Sequence, residues 1–366
     1  MKLGYFAMPL HGPERAPADW LEDDLRQIEV LDRLGYIEAW IGEHNVTPWE
    51  PMAAPELFIA AALQRTTNIR MGTGISQLPH HHPVQLANRI ATLDQMARGR
   101  FNWGIGTSGF HESEVFNIDW RANEHRQMFR DVLDAVLELW DDPPAGPRRR
   151  GRLDYTVIDP VPPLSGFHLT PYQKPHPPIG VACVTPTSDS LVLAGERGWI
   201  PMSLSLLPES ALILNWETYA RGVAAARRSA SRDIWRISRE VFVGETSAQA
   251  RELALEGPIA RSWREAALPT AQRAGLPIAV LTGPDAGVDY DDMDGLLEWF
   301  CDNVWIVGDV DDVVVKLNAL NNSVGGFGTL LVIAQDWESE LWERSVTLLM
   351  QEVLPRVEDV RESALA

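Results

Sequence analysis

Cysteine is scarce in this chain of 366 residues: Cys183 and Cys301 are the only two, and neither belongs to a CxxC pair. A disulfide framework is therefore not expected, and a reducing cytoplasm is the predicted compartment. Long apolar runs are missing too, since none approaches the roughly 18 residues that a bilayer-spanning helix needs. The opening segment MKLGYFAMPL is too short for a signal peptide and fits a first strand.

Basic residues are also in deficit. Lys and Arg number 32 against 51 Asp and Glu, which gives a formal net charge of −19. This charge argues against nucleic acid and anionic membranes as partners, because both would repel the chain. Common catalytic motifs are missing as well: there is no P-loop, no HExxH zinc motif, and no GxSxG between a strand and a helix.

Segments with strand character alternate with amphipathic helical segments from end to end. Helices are expected, for example, at 20–34, 55–65 and 125–140. Eight strands joined by helical crossovers favour one α/β domain over residues 1–366, a closed (β/α)8 TIM barrel with insertions. The expected strands are 3–8, 37–41, 69–74, 101–105, 179–183, 200–203, 235–243 and 329–334.

Two segments interrupt this alternation. Residues 141–178 are rich in proline and include the basic run at 148–150, so we expect an irregular insertion with a small hairpin there. Residues 268–299 lie between the seventh and eighth strands and are acidic near 289–294. Long connections in compact domains are often functional, so this second segment is the expected lid.

The stretch 68–109 carries the strongest local signal. A strand rich in small residues is followed by a loop with prolines, a helix at 84–96 and a second strand that ends in a glycine-rich turn. This order is one βαβ unit of a parallel sheet, and such folds bind ligands at the carboxyl ends of their strands. Gly104, Gly106 and Gly109 also fit GxGxxG, but the chain that follows is helical in character, which argues against a dinucleotide fold.

The same stretch resembles the bacterial luciferase-like flavin monooxygenases. The resemblance rests on LPHHHP, DQMARGRF and GIGTSG, and it continues along the chain with GEHN, PHPPI, AGERGW and IVGDVDDV. It implies a luciferase-like barrel that uses reduced FMN and O2, with the FMN supplied by a separate flavin reductase. A flavin-4a-hydroperoxide would oxygenate a small organic substrate, and the limonene- and ketone-oxidising branch is the most similar. A homodimer through the helices near 55–65 and 83–96 is also implied.

The resemblance implies a catalytic role for His44, which follows the second strand and would lie near the reacting part of the flavin. An imidazole that titrates near neutrality can exchange a proton with a developing peroxide. Gly74, Ile75 and Ser76, at the end of the third strand, are expected to contact the flavin ring. A cis peptide bond is expected between Gly74 and Ile75.

Small and hydroxyl residues after the fourth and fifth strands are the expected phosphate cradle. Backbone N–H groups of a glycine-rich turn and of a helix N-terminus suit a dianionic phosphate. Luciferase carries an arginine near the position of Thr107, so charge pairing is weaker in this chain. The expected phosphate ligands are Thr107, Ser108, Gly109, Thr185 and Ser188.

Further side chains are expected to line a substrate pocket, although each also fits a role in the core or at the rim. His11 could orient a substrate carbonyl or could be a solvated loop residue. The other candidates are Trp49, Phe110, His111 and Ser203. Arg239 and Glu240 fit structural ion pairing better than a place in the site.

No metal site is expected. The run 80–82 contains three histidines, but adjacent residues of an extended loop point to alternating sides and cannot chelate one ion easily. The main alternative is hydride transfer from a deazaflavin on the same fold. A flavin-binding barrel without activity and a metal-dependent barrel hydrolase are weaker alternatives.

Overall fold

The computed structural model describes residues 1–360, with Phe110 described by its backbone alone. The strands are β1 (Lys2–Ala7), β2 (Glu38–Ile41), β3 (Arg70–Thr73), β4 (Ser76–Gln77), β5 (Phe101–Gly106), β6 (Gly146–Arg150), β7 (Leu153–Val157), β8 (Ile179–Cys183), β9 (Ile200–Ser203), β10 (Arg236–Arg239), β11 (Val241–Val243), β12 (Ile306–Gly308) and β13 (Thr329–Ile333).

Helices connect these strands. They are α1 (Pro17–Leu34), α2 (Pro55–Arg65), α3 (Pro83–Ala97), α4 (Phe110–Val115), α5 (Glu124–Trp140), α6 (Asp189–Arg197), α7 (Glu209–Ala225), α8 (Ser247–Glu256), α9 (Pro258–Ser262), α10 (Leu268–Arg273), α11 (Ile278–Thr282), α12 (Met293–Asn303), α13 (Val310–Ser323) and α14 (Ser339–Leu348). Short 3-10 segments occur at Leu78–His80, Arg232–Ile234 and Leu354–Arg356, and π-helical turns at Trp263–Ala267 and Leu349–Val353.

Eight parallel strands close into a barrel, which confirms the predicted (β/α)8 TIM fold. The order around the barrel is β1, β2, β3, β5, β8, β9, β10 and β13, and β13 pairs again with β1. Tyr5 illustrates the closure, because it is in register with Ala39 on one side and with Val332 on the other. Strand β4 continues the line of β3 alongside β5.

One predicted strand is divided. The segment expected at 235–243 forms β10 and β11, with a break at Glu240. Strand β11 leaves the barrel and pairs in parallel with β12. The sequence pattern did not predict β12, because three residues are too few to show a strand period.

The inside of the barrel is built around Trp40, which is fully buried. Glycines on neighbouring strands make room for its indole. A Cβ atom at Gly72 would lie 2.7 Å from the ring, and one at Gly180 would lie 2.9 Å from it. The other buried members of this inner cluster are Phe6, Leu10, Met202, Leu331 and Ile333.

A buried ion pair lies next to this tryptophan. The Trp40 indole N–H donates to Glu38 Oε1 at 3.0 Å. Arg236 binds the same carboxylate with two hydrogen bonds, of 2.9 and 3.0 Å. Every polar group of the cluster is paired, which is the condition under which charges are tolerated in a core.

The two insertions have different structures. Residues 141–178 contain the antiparallel hairpin β6–β7, followed by turns and an isolated bridge between Val161 and Ser165. Residues 268–299 contain α10, α11 and the start of α12, and bury Leu268, Leu281 and Leu296 against the core. Its role as a lid stays a prediction. In the part of the chain that the structure describes, no helix is long and apolar enough to cross a membrane.

We predict that Gly104→Ala destabilises the barrel by about 1–3 kcal/mol, because overpacking a filled core forces its backbone to move. A Cβ atom at Gly104 would lie 2.0 Å from the Thr73 carbonyl oxygen. Gly109→Ala is the control, since a Cβ there meets nothing within 4 Å and the φ angle is −89°. Urea or thermal unfolding of the purified variants measures the difference. Equal stabilities for the two variants would contradict this account of the core.

Candidate active site

The loops that carry the predicted site residues leave the barrel at one end, because its strands run parallel. His11 follows β1, His44 and Trp49 follow β2, and Gly74 and Ile75 follow β3. The predicted phosphate residues follow the adjacent strands β5 and β8, namely Thr107, Ser108, Gly109, Thr185 and Ser188. We call this end the mouth of the barrel.

His44 lies between two acidic side chains at the mouth. Its Nε2 is 3.3 Å from Glu50 Oε2, and its Nδ1 is 3.5 Å from Glu112 Oε1. The imidazole remains 27% exposed. Burial alone would lower the pKa of His44, but the charges of Glu50 and Glu112 raise it above its ordinary value. The site therefore favours an imidazolium that can give up a proton.

Glu112 fixes the loop that carries His44. Its carboxylate accepts hydrogen bonds from the backbone N–H groups of Asn45 and Val46. Burial opposes ionisation of Glu112, yet the interaction with His44 and these N–H groups lower its pKa to about 2. Burial raises the pKa of Glu50. Neither Glu50 nor Glu112 stood out in the sequence, since they join His44 only through the fold.

A second carboxylate holds the neighbouring loops together. Glu43 is buried, and its Oε2 accepts from the Gln77 backbone N–H at 3.1 Å. His81 Nε2 lies 2.9 Å from Glu43 Oε1, while Arg89 donates to His81 Nδ1 at 2.8 Å. This network ties the loop after β2 to the segment after β4 and keeps both near the mouth.

Very small residues line one half of the mouth. Gly106 and Ala182 occupy the last inward positions of β5 and β8, while Gly42 and Gly74 continue the inward series one residue beyond β2 and β3. A Cβ atom at Gly106 would lie 1.9 Å from Ile75 Cδ1. We call these four residues the bare rim. None has a side chain larger than a methyl group, so they add little bulk to the mouth on this side.

The bare rim fits a flat ring system. The Gly74–Ile75 peptide bond is cis, as the family resemblance implies. Ile75 is half-buried, so part of its side chain is accessible at the mouth. Ser76 contributes no hydroxyl there, because its Oγ is buried and accepts from the Trp103 indole at 3.3 Å. A flavin would therefore contact backbone and Ile75 at this strand end.

The predicted phosphate residues follow two paired strands, and the hydroxyl groups of Ser108, Thr185 and Ser188 already have partners. Ser108 Oγ lies 3.1 Å from Ser113 Oγ, and Thr185 Oγ1 donates to the Thr187 carbonyl at 2.8 Å. Ser188 is the N-cap of α6 and accepts from the Ser190 N–H. A phosphate at this place would have to exchange these hydrogen bonds for its own.

Asn215 positions the second phosphate loop, and sequence analysis missed it. Its Nδ2 donates to the carbonyls of Thr185 and Pro186 at 2.7 and 2.9 Å. Ser203 in turn donates to Asn215 Oδ1 at 2.9 Å and accepts from the Trp235 indole at 3.0 Å. The expectation that Ser203 lines the substrate pocket is therefore corrected. Its hydroxyl is buried between β9 and α7 and faces away from the mouth.

His11 is also not free to bind a substrate carbonyl. Its Nδ1 lies 3.0 Å from Asp336 and its Nε2 lies 3.2 Å from Asp24. Burial would lower the pKa of His11, but the hydrogen bonds to Asp24 and Asp336 raise it to about 9. The imidazolium links the loop after β1 to α1 and to the loop after β13. Arg15 completes the cluster by binding Asp336.

One of the remaining candidates lines a small cavity at the mouth. Trp49 lines it, and the guanidinium of Arg261 lies over the Trp49 ring at 5.1 Å. His111 lies in α4 with its Nδ1 3.7 Å from Glu114. Phe110 begins α4, and its side chain lies outside the described residues. The cavity has a volume of about 210 Å³ and is lined by Leu10, Trp49, Glu256, Gly257, Pro258, Arg261, Ser262 and Asp336.

The three consecutive histidines have three separate surroundings. His80 stacks on Phe116 with ring centroids 4.1 Å apart, and His82 packs edge-on against Tyr155. His81 is bound to Glu43. Within residues 1–360, no group of three or more His, Cys, Asp or Glu side chains is arranged to hold a metal ion.

Comparison with known proteins adds an independent finding. The sequence model of the luciferase-like monooxygenases matches residues 1–325. The chain is 30% identical to 3,6-diketocamphane 1,6-monooxygenase of Pseudomonas putida over an alignment of 378 positions, which covers 98% of each protein. It is 29% identical to limonene 1,2-monooxygenase of Rhodococcus erythropolis, with 96% of this chain and 85% of that protein covered.

A solved structure agrees with these relatives. It is the oxygenating constituent of 3,6-diketocamphane monooxygenase from Pseudomonas putida, a type II Baeyer–Villiger monooxygenase in complex with FMN. The two folds superpose with a TM-score of 0.88 at 30% identity, covering 98% of this chain and 99% of the other.

We predict that His11 makes stability depend on pH. Because folding raises its pKa from 6.5 to about 9, its contribution is complete below pH 6.5 and is lost as the pH rises through 9. The contribution is at most about 3 kcal/mol, and burial of Asp24, which raises the pKa of that carboxyl, offsets part of it. Unfolding of His11→Gln at several pH values should therefore differ most from the parent protein at neutral or lower pH.

The exposed His168 provides the control for this experiment. His168→Gln should unfold with the stability of the parent protein, because its side chain is exposed and lies outside the His11 cluster. If the His11→Gln difference stays constant between pH 6.5 and 9, the imidazole does not titrate within the cluster formed with Asp24 and Asp336.

Proposed function

The chain belongs to the luciferase-like monooxygenase family, and from this premise we propose that it inserts one oxygen atom of O2 into a neutral cyclic ketone. The chain is an oxidoreductase of the monooxygenase type, and FMN is its cofactor. The relatives that act on diketocamphanes and limonene support a small terpene-like substrate. The single observation that carries the proposal is the bare rim beside His44.

The bare rim and His44 supply complementary parts of the site. The backbone of Gly74 and Gly106, with the side chain of Ile75, would lie against the flavin ring. His44 follows the adjacent strand β2, and the charges of Glu50 and Glu112 raise its pKa and so favour its protonated form. The hydroxyl loops after β5 and β8 would hold the phosphate.

The chemistry requires a proton at a defined place. Reduced FMN, when bound, supplies the two electrons that activate O2. One oxygen atom then enters the carbon–carbon bond beside the ketone carbonyl, and the other leaves as water. His44 holds a proton between two carboxylates and can donate it as oxygen is reduced. The buried Trp40 below the rim excludes water from the inner side of the site.

Charge around the cavity favours a neutral substrate. Asp336 and Glu256 line the cavity beside Leu10, Trp49 and Pro258. Arg261 also lines the cavity, but Glu14 and Glu265 bind its guanidinium. The formal charge of the chain is −19, so the surroundings disfavour an anionic substrate. An uncharged ketone avoids this repulsion and uses the apolar walls.

Hydride transfer from a deazaflavin is the weaker alternative. Its polyanionic tail would require cationic side chains near the phosphate loops. The segments 102–110 and 179–196, which contain both loops, have no Lys, Arg or His. FMN, with a single phosphate, demands less positive charge and suits loops that offer N–H and hydroxyl groups.

We further propose that a separate flavin reductase delivers reduced FMN and that the chain forms a homodimer. Leu57 of α2 is 74% exposed and Met96 of α3 is 46% exposed, and both helices belong to the expected interface. Burial of these side chains against a second copy would remove apolar surface from water. The cytoplasmic location stays a prediction.

The first test supplies the chain with reduced FMN, norcamphor and isotopically labelled oxygen (¹⁸O₂). The expected product is the ring-expanded lactone with one labelled atom, detected by gas chromatography and mass spectrometry. Because a Baeyer–Villiger insertion takes its oxygen from O2, label in the product distinguishes it from hydrolysis. Tight FMN binding without lactone from any of several cyclic ketones would contradict the proposal.

His44→Ala should leave FMN affinity unchanged and lower lactone formation about 100-fold, since general acid catalysis contributes factors of this size. FMN affinity is measured by fluorescence titration and the rate by lactone yield. The exposed His82 offers a matched control, and His82→Ala should retain both properties. Full activity of His44→Ala would remove His44 from the mechanism.

A further inference from the structure

Two buried polar side chains face the mouth from the side opposite the bare rim. Glu240 continues the inward series of β10 that begins with Arg236, and Gln335 continues that of β13 after Ile333. They are only 2% and 3% exposed, respectively. Their strands are neighbours in the barrel, so the two side chains share one part of the mouth.

Each of these side chains has one atom without a hydrogen-bond partner. The atoms are Glu240 Oε2 and Gln335 Nε2. Buried polar atoms are nearly always paired, because leaving one unpaired costs about 1–3 kcal/mol. An unpaired buried donor or acceptor at the mouth of a barrel therefore indicates a ligand that completes it.

Two consecutive residues at the end of α9 orient both side chains. Trp263 Nε1 donates to Glu240 Oε1 at 3.1 Å, and Ser205 Oγ donates to the same oxygen at 3.0 Å. Ser262 Oγ lies 2.9 Å from Gln335 Oε1 and 2.9 Å from the Ile259 carbonyl, so its proton bridges two acceptors. These contacts occupy Glu240 Oε1 and Gln335 Oε1 and leave Glu240 Oε2 and Gln335 Nε2 without a partner.

We propose that Glu240 Oε2 and Gln335 Nε2 together bind the carbonyl oxygen of a neutral ketone. This inference rests on the proposed function and names the group that the site recognises. Two residues that line the small cavity adjoin Gln335: Ser262 is hydrogen-bonded to it, and Asp336 follows it in the chain. An apolar ring in that cavity would therefore lie beside Gln335.

The chemistry of Glu240 suits this role. Burial raises the pKa of its carboxyl, which favours the neutral acid. Because Oε1 accepts two hydrogen bonds, the neutral acid would carry its proton on Oε2. Arg239 does not neutralise Glu240 directly, since its guanidinium donates to the carbonyls of Ser205, Ser238 and Leu207. A protonated Oε2 and an amide N–H are both donors, as a carbonyl oxygen requires.

The test compares norcamphor with norbornane, its hydrocarbon counterpart without the carbonyl. Partition of each vapour into a solution of the FMN-loaded chain is measured by headspace gas chromatography. Glu240→Leu and Gln335→Leu should each weaken norcamphor binding three- to tenfold, about the effect of one hydrogen bond. Norbornane binding should not weaken. Glu240→Gln keeps a neutral donor and should retain norcamphor binding.

Asn321→Leu is the matched control, because it removes a buried carboxamide from α13 that also has one unpaired atom. This variant should bind norcamphor and norbornane as the parent chain does. Equal loss of both ligands in the Glu240 and Gln335 variants, or no loss of norcamphor, would overturn the subsite. If either result is found and the parent chain still forms lactone, only the subsite proposal fails. If it prefers norcamphor through these residues but forms no lactone, only the proposed function fails.

Discussion

Packing of one large ring inside a narrow barrel governs this structure. Trp40 occupies the interior, and the facing positions on β3 and β8 must be glycine because a Cβ at Gly72 or Gly180 would come within 3 Å of its indole. Its N–H requires an acceptor, which Glu38 provides, and Glu38 in turn requires Arg236. A dense interior of this kind transmits strain, so the positions above Trp40 are constrained as well.

The two halves of the mouth above this interior differ in the side chains that they present. Above Trp40, the strands β2, β3, β5 and β8 lead to the bare rim, where no side chain is larger than a methyl group. On the opposite side, β10 and β13 end in Glu240 and Gln335, whose free atoms need a partner. A flat cofactor suits the first half and a hydrogen-bonding substrate suits the second. Ser262 and Trp263, at the end of α9, orient the polar half, and Ser262 also lines the cavity.

The surroundings of His11 and His44 give one imidazole a structural role and the other a chemical one. His11 and His44 each lie between two carboxyl groups, and both have a raised pKa. The side chain of His11 is 5% exposed and both its nitrogens are hydrogen-bonded, so its proton stabilises the fold. The side chain of His44 is 27% exposed, with longer contacts of 3.3 and 3.5 Å. Its proton is therefore available at the mouth.

The sequence by itself determined the barrel, the βαβ unit around the glycine-rich turn, and the strand ends where His44, Gly74 and Thr107 lie. These features depend on local periods and on the rule that parallel strands end together. Only the tertiary structure decided that Ser203 faces α7, that His11 is fully bonded, and that Glu240 and Gln335 are buried with one unpaired atom each. Contacts between residues far apart in the chain decide which way a side chain points beyond the end of a strand. They also decide which distant groups become its hydrogen-bond partners.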